Sequence, residues 1–145
     1  MKINFSLMTI FVLSCTMTKA QIKADDVIGN WLTAGNEPAK IQMYKSEGKF
    51  YGKIIWLKNA TDNGKPKVDI NNPDKTKRNN LLIGLVILMA FKFDGDDEWK
   101  GGNIYDPETG KTYSSYFYLK ENTLKVRGYI GTSLFGRTET WTRIN

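Results

Sequence analysis

The sequence is dominated by short runs in which apolar and polar residues alternate, separated by residues typical of tight turns. Alternation with a period of two places every second side chain on one face of a β-strand, whereas the helical spacing of three to four residues is weak throughout the chain. The pattern predicts eight strands, at residues 29–33, 39–44, 50–57, 83–93, 98–105, 111–119, 124–131 and 137–144. The predicted fold class is therefore all-β.

The segments between several of these strands have the chemistry of reversals. Residues 106–110 read Asp-Pro-Glu-Thr-Gly, with a proline whose φ is already fixed and a glycine where φ must be positive. Residues 94–97 and 121–123 also read as tight turns. Short reversals predict an up-and-down antiparallel order, and closing eight such strands into a barrel removes exposed edges. A two-sheet sandwich is the alternative architecture.

The first 20 residues have the pattern of a secretion signal. Lys2 precedes an apolar stretch at residues 5–13, and Thr18-Lys19-Ala20 forms a small-residue cleavage site before Gln21. The apolar stretch is shorter than the ~20 residues of a spanning helix, so no stable membrane insertion is expected. We therefore predict an exported single domain at residues 21–145, located in the periplasm or cell envelope or secreted. The alternative is a lipoprotein attached through Cys15, because residues 12–15 loosely resemble a lipobox.

The domain beyond this signal has an unusual composition for an enzyme. Cys15 is the only cysteine in the chain and there is no histidine, so the mature domain can carry no disulfide, thiolate nucleophile, imidazole base or Cys/His zinc site. We expect no catalytic residues, no metal and no cofactor. The formal net charge of +6 falls to +4 once Lys2 and Lys19 are removed, and the acidic residues are interspersed. That balance does not indicate a nucleic-acid partner.

Residues at the two ends of the predicted barrel resemble the lipocalin and calycin group. Gly29-Asn30-Trp31 opens the first strand, and Arg137 and Arg143 lie in the last strand. In that group an early Gly-x-Trp packs beneath an arginine from the end of the chain, where a guanidinium over an indole gains cation–π attraction. The resemblance implies a structural contact at the barrel base, and we expect Arg137 rather than Arg143 to contact Trp31.

An ordered set of motifs along the rest of the chain is similar to the DUF2147 family, a bacterial family of exported domains of unknown function. The motifs lie at residues 51–54 (YGKI), 72–74 (NPD), 84–88 (GLVIL), 105–113 (YDPETGKTY), 124–129 (LKVRGY) and 136–138 (GRT). The resemblance implies a small envelope-associated β domain. It brings no catalytic or binding residues to this chain.

An eight-stranded barrel encloses space either for one small ligand or for packed side chains. The leading hypothesis is a non-enzymatic binding protein for a small apolar or amphipathic molecule. The residues predicted to line its interior are Phe50, Ile54, Trp56, Trp99, Tyr105, Phe117, Val126 and Ile130. The inward face of the last strand is ambiguous in the pattern. The alternative function is an envelope interaction module whose barrel is filled and whose outer Lys, Arg and Tyr residues make the contacts.

Two segments depart from the regular pattern. Residues 58–80 form a long polar connection with Lys58, Lys65, Lys67, Lys75, Lys77 and Arg78 against Asp62, Asp69 and Asp74, a net of +3. This connection is either a binding loop or a solvated linker, with Asn72 predicted to cap a short helix that begins at Pro73. Residues 83–91 are apolar on both faces, so one face needs a cover. We expect the helix at residues 73–80 to cover it within a monomer, and the alternative cover is a second copy of the chain.

Overall fold

The computed structural model describes residues 20–145, in which eight strands surround a common axis. The predicted secretion signal, except for Ala20, and the alternative lipid site at Cys15 lie outside the described residues. The strands are β1 (Gly29–Leu32), β2 (Ala39–Ser46), β3 (Lys49–Leu57), β4 (Thr61–Asp62), β5 (Lys65–Pro66), β6 (Val86–Phe93), β7 (Glu98–Asp106), β8 (Lys111–Lys120), β9 (Thr123–Tyr129) and β10 (Gly136–Ile144). Two 3-10 helices cover Ala24–Val27 and Lys75–Lys77.

The strand order is β1-β10-β9-β8-β7-β6-β3-β2, with β2 returning to β1. Every pair is antiparallel, so the predicted up-and-down barrel is confirmed and the sandwich is excluded. The short strands β4 and β5 form a separate hairpin in the connection between β3 and β6. Among the described residues, all strands and all buried apolar residues lie after Ala20, so the closed barrel and its core are formed within residues 21–145.

The two ends of the barrel differ, and we call them the base and the mouth. The base carries the tight turns β2–β3, β6–β7 and β8–β9, together with the first 3-10 helix. The mouth carries the other four connections, at residues 33–38, 58–85, 107–110 and 130–135. We call residues 58–85 the lobe and residues 130–135 the apolar loop.

Aromatic side chains fill the lower half of the barrel. Trp99 stacks on Phe117 with ring centroids 5.4 Å apart, and Phe50 meets Trp99 edge to face at 6.2 Å. Phe91 packs against Phe117 at 4.6 Å. Offset and edge-to-face pairs of this kind add stabilisation beyond the area they bury. The lower half is consequently a packed core that leaves no room for a ligand.

The base is closed by Trp31 and Arg143, so the predicted contact of Trp31 with Arg137 is wrong. The Arg143 guanidinium lies 4.2 Å from the Trp31 ring centroid. Its Nη1 donates to the Ile28 carbonyl at 3.1 Å, and the Trp31 Nε1 donates to the Val27 carbonyl at 3.0 Å. The antiparallel register is the reason, because it pairs Trp31 directly with Arg143. Arg137 lies at the other end of β10, at the mouth.

Strand β6 contributes large side chains from both odd and even positions to the interior. Leu88 and Phe91 are fully buried in the core, and Ile87 is buried beside them. The register against β3 shifts on both sides of Leu88, and Ala90 adopts a left-handed φ of +63°. Each shift adds one residue to β6 and rotates the following side chains by one position. Because of these bulges, apolar side chains from both predicted faces of residues 83–91 reach the interior, among them Ile87, Leu88 and Phe91.

The lobe is folded, but it does not contain the predicted helix at residues 73–80. Only Lys75–Lys77 forms a 3-10 turn, and Asp74 rather than Asn72 caps it, accepting from the Thr76 amide at 3.0 Å. Asn72 is engaged elsewhere, because its side-chain Nδ2 donates to Asp69 at 2.6 Å. A bridge between Val68 and Leu81 closes the lobe. The lobe is held at the end of β7 and at the β7–β8 turn, where Asn71 Nδ2 donates to the Glu108 carbonyl at 2.8 Å.

Candidate functional site

The upper half of the barrel contains a cavity of about 670 Å³ that opens at the mouth. This volume lies within the ~300–1,000 Å³ range of ligand pockets. The wall is largely aliphatic, with the indole of β10 added. Its apolar members are Ile41, Ile54, Leu57, Ile87, Ile104, Val126 and Trp141. The aromatic core of the lower half lies beneath it, so the barrel is half filled and half open.

Gly128 widens this cavity on the β9 side. A methyl group at Gly128 would lie 3.3 Å from Cγ2 of Ile104 and 3.7 Å from Cβ of Tyr113. These contacts show that Gly128, Ile104 and Tyr113 all face the interior. A larger residue at position 128 would fill the space between Ile104 and Tyr113. Because position 128 is a glycine, that space stays open and adds to the cavity.

Two charged residues of β10 mark the entrance. The β9–β10 register runs without a shift from Gly136 to Thr142, so alternation is intact along this stretch. Trp141 is buried in the core, which places Glu139 and Arg137 on the same inward face, progressively closer to the mouth. Glu139 accepts a hydrogen bond from the Trp141 indole at 3.2 Å. Within residues 20–145, Arg137 is exposed and its guanidinium has no ion-pair or hydrogen-bond partner.

Five of the eight predicted lining residues face the interior, but at two different levels. Phe50, Trp99 and Phe117 belong to the packed lower half and do not border the cavity. Ile54 and Val126 do border it, as do Tyr105 and Ile130 at its edge. Simple alternation therefore identified the inward face at these five positions, but it could not separate the filled half of the barrel from the open half.

Trp56 lies on the outside of the barrel, contrary to the prediction. The β2–β3 register pairs Ile41 with Ile54 but Lys40 with Trp56, so Ile55 is an extra residue. This bulge inverts the alternation, and Leu57 instead of Trp56 turns towards the cavity. The Trp56 ring is 39% exposed, and Lys40 Nζ lies 5.1 Å from its centroid.

Ile130 borders the cavity from its rim, outside the strand in which it was predicted to lie. Strand β9 ends at Tyr129, and Ile130 begins the apolar loop at the rim of the mouth, where it is 68% exposed.

Tyr105 is buried and borders the edge of the cavity, but its hydroxyl points towards the lobe. A register shift between Trp99 and Gly102 inserts Gly101, which has a φ of +74° and inverts the alternation, so Ile104 faces inward. The Tyr105 hydroxyl donates to Asp69 of the lobe at 2.7 Å. Burial, followed by the hydrogen bond and charge of Asp69, raises the pKa of Tyr105 to about 12. This pair fastens the lobe to the barrel.

A second cleft of about 840 Å³ lies between the lobe and the mouth. It shares Ile54 and Leu57 with the barrel cavity, so the two spaces adjoin. Its other walls include Lys58, Lys65 and Ile70. The lobe therefore forms one side of the approach to the interior.

Several residues of this site were missed in the sequence. They are Leu57, Ile104, Tyr113, Glu139 and Trp141. For Glu139 and Trp141, the sequence of β10 does contain a signal. This strand alternates regularly, and Trp141 is a large apolar residue, so Trp141 and the residues two positions away from it are expected to face inward. No local signal marks Leu57 or Ile104, because their direction depends on bulges.

No group of three Asp, Glu, His or Cys side chains able to hold a metal ion occurs among residues 20–145. Over the same residues, no helix has the length and apolar character needed to cross a bilayer.

Comparison with known proteins gives one family and one structural relative of note. A family profile described as "Uncharacterized protein conserved in bacteria (DUF2147)" matches residues 29–143. The chain is similar to the solved structure of protein HP1028 from the human pathogen Helicobacter pylori, which is described as belonging to the lipocalin family. The two share 26% identity over 83% of this chain and 84% of that one, with a TM-score of 0.75. No curated protein matches the chain.

Proposed function

The chain belongs to the DUF2147 family and has a lipocalin-like barrel, and from that premise we propose that it is an exported, non-enzymatic protein that binds a small amphipathic molecule in the upper half of the barrel. The observation that carries the proposal is the division of the barrel into a packed lower half and an open cavity of about 670 Å³. The fold alone permits a filled interior as well as a ligand site.

The distribution of polarity in the cavity favours an amphipathic ligand over a purely apolar one. The deep wall is formed by Ile41, Ile54, Ile87 and Val126, whereas Arg137 and Glu139 face inward near the opening. An apolar body buried against the aliphatic wall gains hydrophobic stabilisation. A polar head at the entrance keeps the charged side chains hydrated or hydrogen-bonded, which avoids the cost of burying them unpaired.

The rival function is an interaction module with a filled barrel. The packed lower half agrees with that function. A completely filled barrel, however, would not leave the open cavity of the upper half. The identity of a bound molecule decides between the two. Native mass spectrometry of the purified protein is expected to show a co-purified lipid-like mass, and solvent extraction would identify it.

A pair of variants on one strand tests the cavity directly. Val126→Phe adds a ring on the inward face of β9, whereas Lys125→Phe adds the same ring to the outward neighbour. The probe is the apolar fluorophore N-phenyl-naphthylamine, measured by its emission on binding. We expect Val126→Phe to weaken probe binding about tenfold, corresponding to ~1.4 kcal/mol, and Lys125→Phe to leave it unchanged. Equal binding by all three proteins, or no binding by any, would overturn the proposal.

A further inference from the structure

Exposed apolar side chains are concentrated at the mouth of the barrel. In the described part of the chain, the large apolar residues in the mouth connections that are more than one-third exposed are Ile70, Leu81, Ile83, Ile130, Leu134 and Phe135. Trp56 adds a seventh near the mouth end of β3, and Ile28 is the exception at the base. Leu134 and Phe135 are 83% and 76% exposed, so almost nothing in the chain covers them. Clustered exposure of this kind marks interaction surfaces.

These residues lie on two opposite sides of the opening. The apolar loop joins β9 to β10, and the lobe joins β3 to β6. In the closed strand order, these two strand pairs are separated by half of the barrel. A broad surface placed across the mouth would therefore meet apolar side chains on both sides at once.

The apolar loop has a defined conformation. Arg127 donates from Nε and Nη2 to the Ser133 carbonyl at 2.8 and 2.6 Å. The Phe135 amide donates to the Thr132 carbonyl at 3.1 Å, and the Ile130 amide donates to the Phe135 carbonyl at 3.2 Å. Because these backbone groups are already paired, moving the loop out of water costs less than it would for an open loop.

Charge is distributed unequally between the two ends. The three base turns carry Glu47, Glu121 and the cluster Asp94, Asp96 and Asp97, of which Asp94 is paired with Lys100. The strand ends beside these turns carry the lysines Lys45, Lys49, Lys92, Lys100 and Lys120, which offset the acids there. The lobe at the mouth carries Lys58, Lys65, Lys67, Lys75, Lys77 and Arg78. Its exposed acids are Asp62 and Asp74, because Asp69 is fully buried, and Glu37 and Glu108 lie in the neighbouring mouth loops. This asymmetry orients the mouth towards a negatively charged surface.

We propose that the mouth docks peripherally on an anionic lipid surface, with Leu134 and Phe135 entering the interface and the lysines of the lobe near the phosphate groups. Exposed apolar side chains and basic side chains at the same end of a protein are the combination that such surfaces bind. The proposal rests on exposure and charge, not on the ligand cavity. The two proposals are compatible, since a docked mouth opens directly onto lipid.

Site-specific labelling provides the first test. Residues 21–145 contain the whole barrel and no cysteine, so Phe135→Cys and Asn122→Cys each accept one nitrobenzoxadiazole label, at the mouth and in a base turn. We expect vesicles containing phosphatidylglycerol to shift the emission of the mouth label to the blue and to leave the base label unchanged. Phosphatidylcholine vesicles should give a much smaller shift, and added salt should reverse it. Equal shifts with both vesicle types, or at both labels, would overturn the proposal.

A sedimentation assay with unlabelled protein provides the second test. Leu134→Ser combined with Phe135→Ser is expected to reduce binding to phosphatidylglycerol vesicles by roughly tenfold or more, because two inserting apolar side chains are lost. Ile28→Ser, an exposed apolar residue at the base, is the matched control and should bind like the wild type. All these side chains are exposed, so the melting temperature should be unchanged. If the wild type fails to bind vesicles and instead self-associates through the same two residues, the covering surface is a second copy and the proposal is wrong.

The outcome is independent of ligand binding. Leu134→Ser alone should weaken vesicle binding and still bind N-phenyl-naphthylamine, because Leu134, unlike Phe135, does not border the cavity. Weaker vesicle binding with retained probe binding supports docking, whereas unchanged vesicle binding by this single variant would overturn it.

Discussion

Replacing Tyr105 by Phe should destabilise the protein and change the way its stability depends on alkaline pH. The substitution removes the hydroxyl that donates to the fully buried Asp69 at 2.7 Å. Asn72 Nδ2 still donates to Asp69, so one partner remains. Leaving a buried acceptor with fewer partners costs about 1–3 kcal/mol, and we expect a loss of that size in the free energy of unfolding at pH 7.

The pH dependence follows from the raised pKa. Tyr105 has a pKa of about 12 in the folded protein against 10.0 for the free side chain, mainly because of burial and then Asp69. A group whose pKa is raised by folding contributes stability that is complete below its unfolded pKa and is lost as the pH rises through its folded pKa. Two pH units correspond to ~2.7 kcal/mol of stability, which the wild type loses between about pH 10 and pH 12.

Urea unfolding followed by circular dichroism provides the measurement. The free energy of unfolding of the wild type and of Tyr105→Phe should be compared at intervals from pH 7 to pH 12. The difference between the two proteins cancels the titration of the lysines, which both retain. We expect this difference to shrink above pH 10, because the wild type loses the contribution that the variant never had. A difference that is zero at pH 7, or that stays constant to pH 12, would refute the clamp between Tyr105 and Asp69.

Four further predictions concern other parts of the chain. Trp31→Ala should cost ~3–5 kcal/mol as truncation of a buried aromatic residue, whereas Arg137→Ala should leave the unfolding midpoint nearly unchanged. Gly110→Ala should loosen the lobe, because the added methyl would overlap the Asn71 carbonyl; faster hydrogen exchange at residues 67–72 is the readout, and unchanged exchange would contradict the contact. Ala90→Gly should stabilise the protein by up to about 1 kcal/mol in thermal unfolding, since alanine is strained at a φ of +63°. Protein recovered from an exporting bacterium should begin at Gln21 by mass spectrometry, and an acylated Cys15 there would show the lipoprotein route instead.

The strands and their order could be predicted from the sequence because each strand is encoded locally. Alternation in residues 124–128, and the Asp-Pro-Glu-Thr-Gly turn at 106–110, specify strand and reversal without reference to the rest of the chain. The observed bounds of the barrel strands differ from the predicted ones by few residues, except that β6 begins at Val86.

The direction of individual side chains could not be predicted in the same way. Trp56 and Tyr105 each follow a bulge that adds one residue to its strand relative to the neighbour. A bulge is defined by the pairing of two strands and by the curvature of the closed barrel, so it leaves little trace in the local pattern. The choice of Arg137 over Arg143 was wrong for a related reason, because the contact with Trp31 depends on the register between the first and last strands.

The half-filled barrel has a consequence for how binding preference can change. The aromatic residues that pack most tightly lie below the cavity, whereas Ile54, Val126 and Arg137 border open space. Substitution of a side chain next to open space creates no new void in a packed region and forces little rearrangement. Selectivity can therefore be altered at the upper wall with little loss of foldability, and a library varied there and selected for new ligands should return a high proportion of folded proteins.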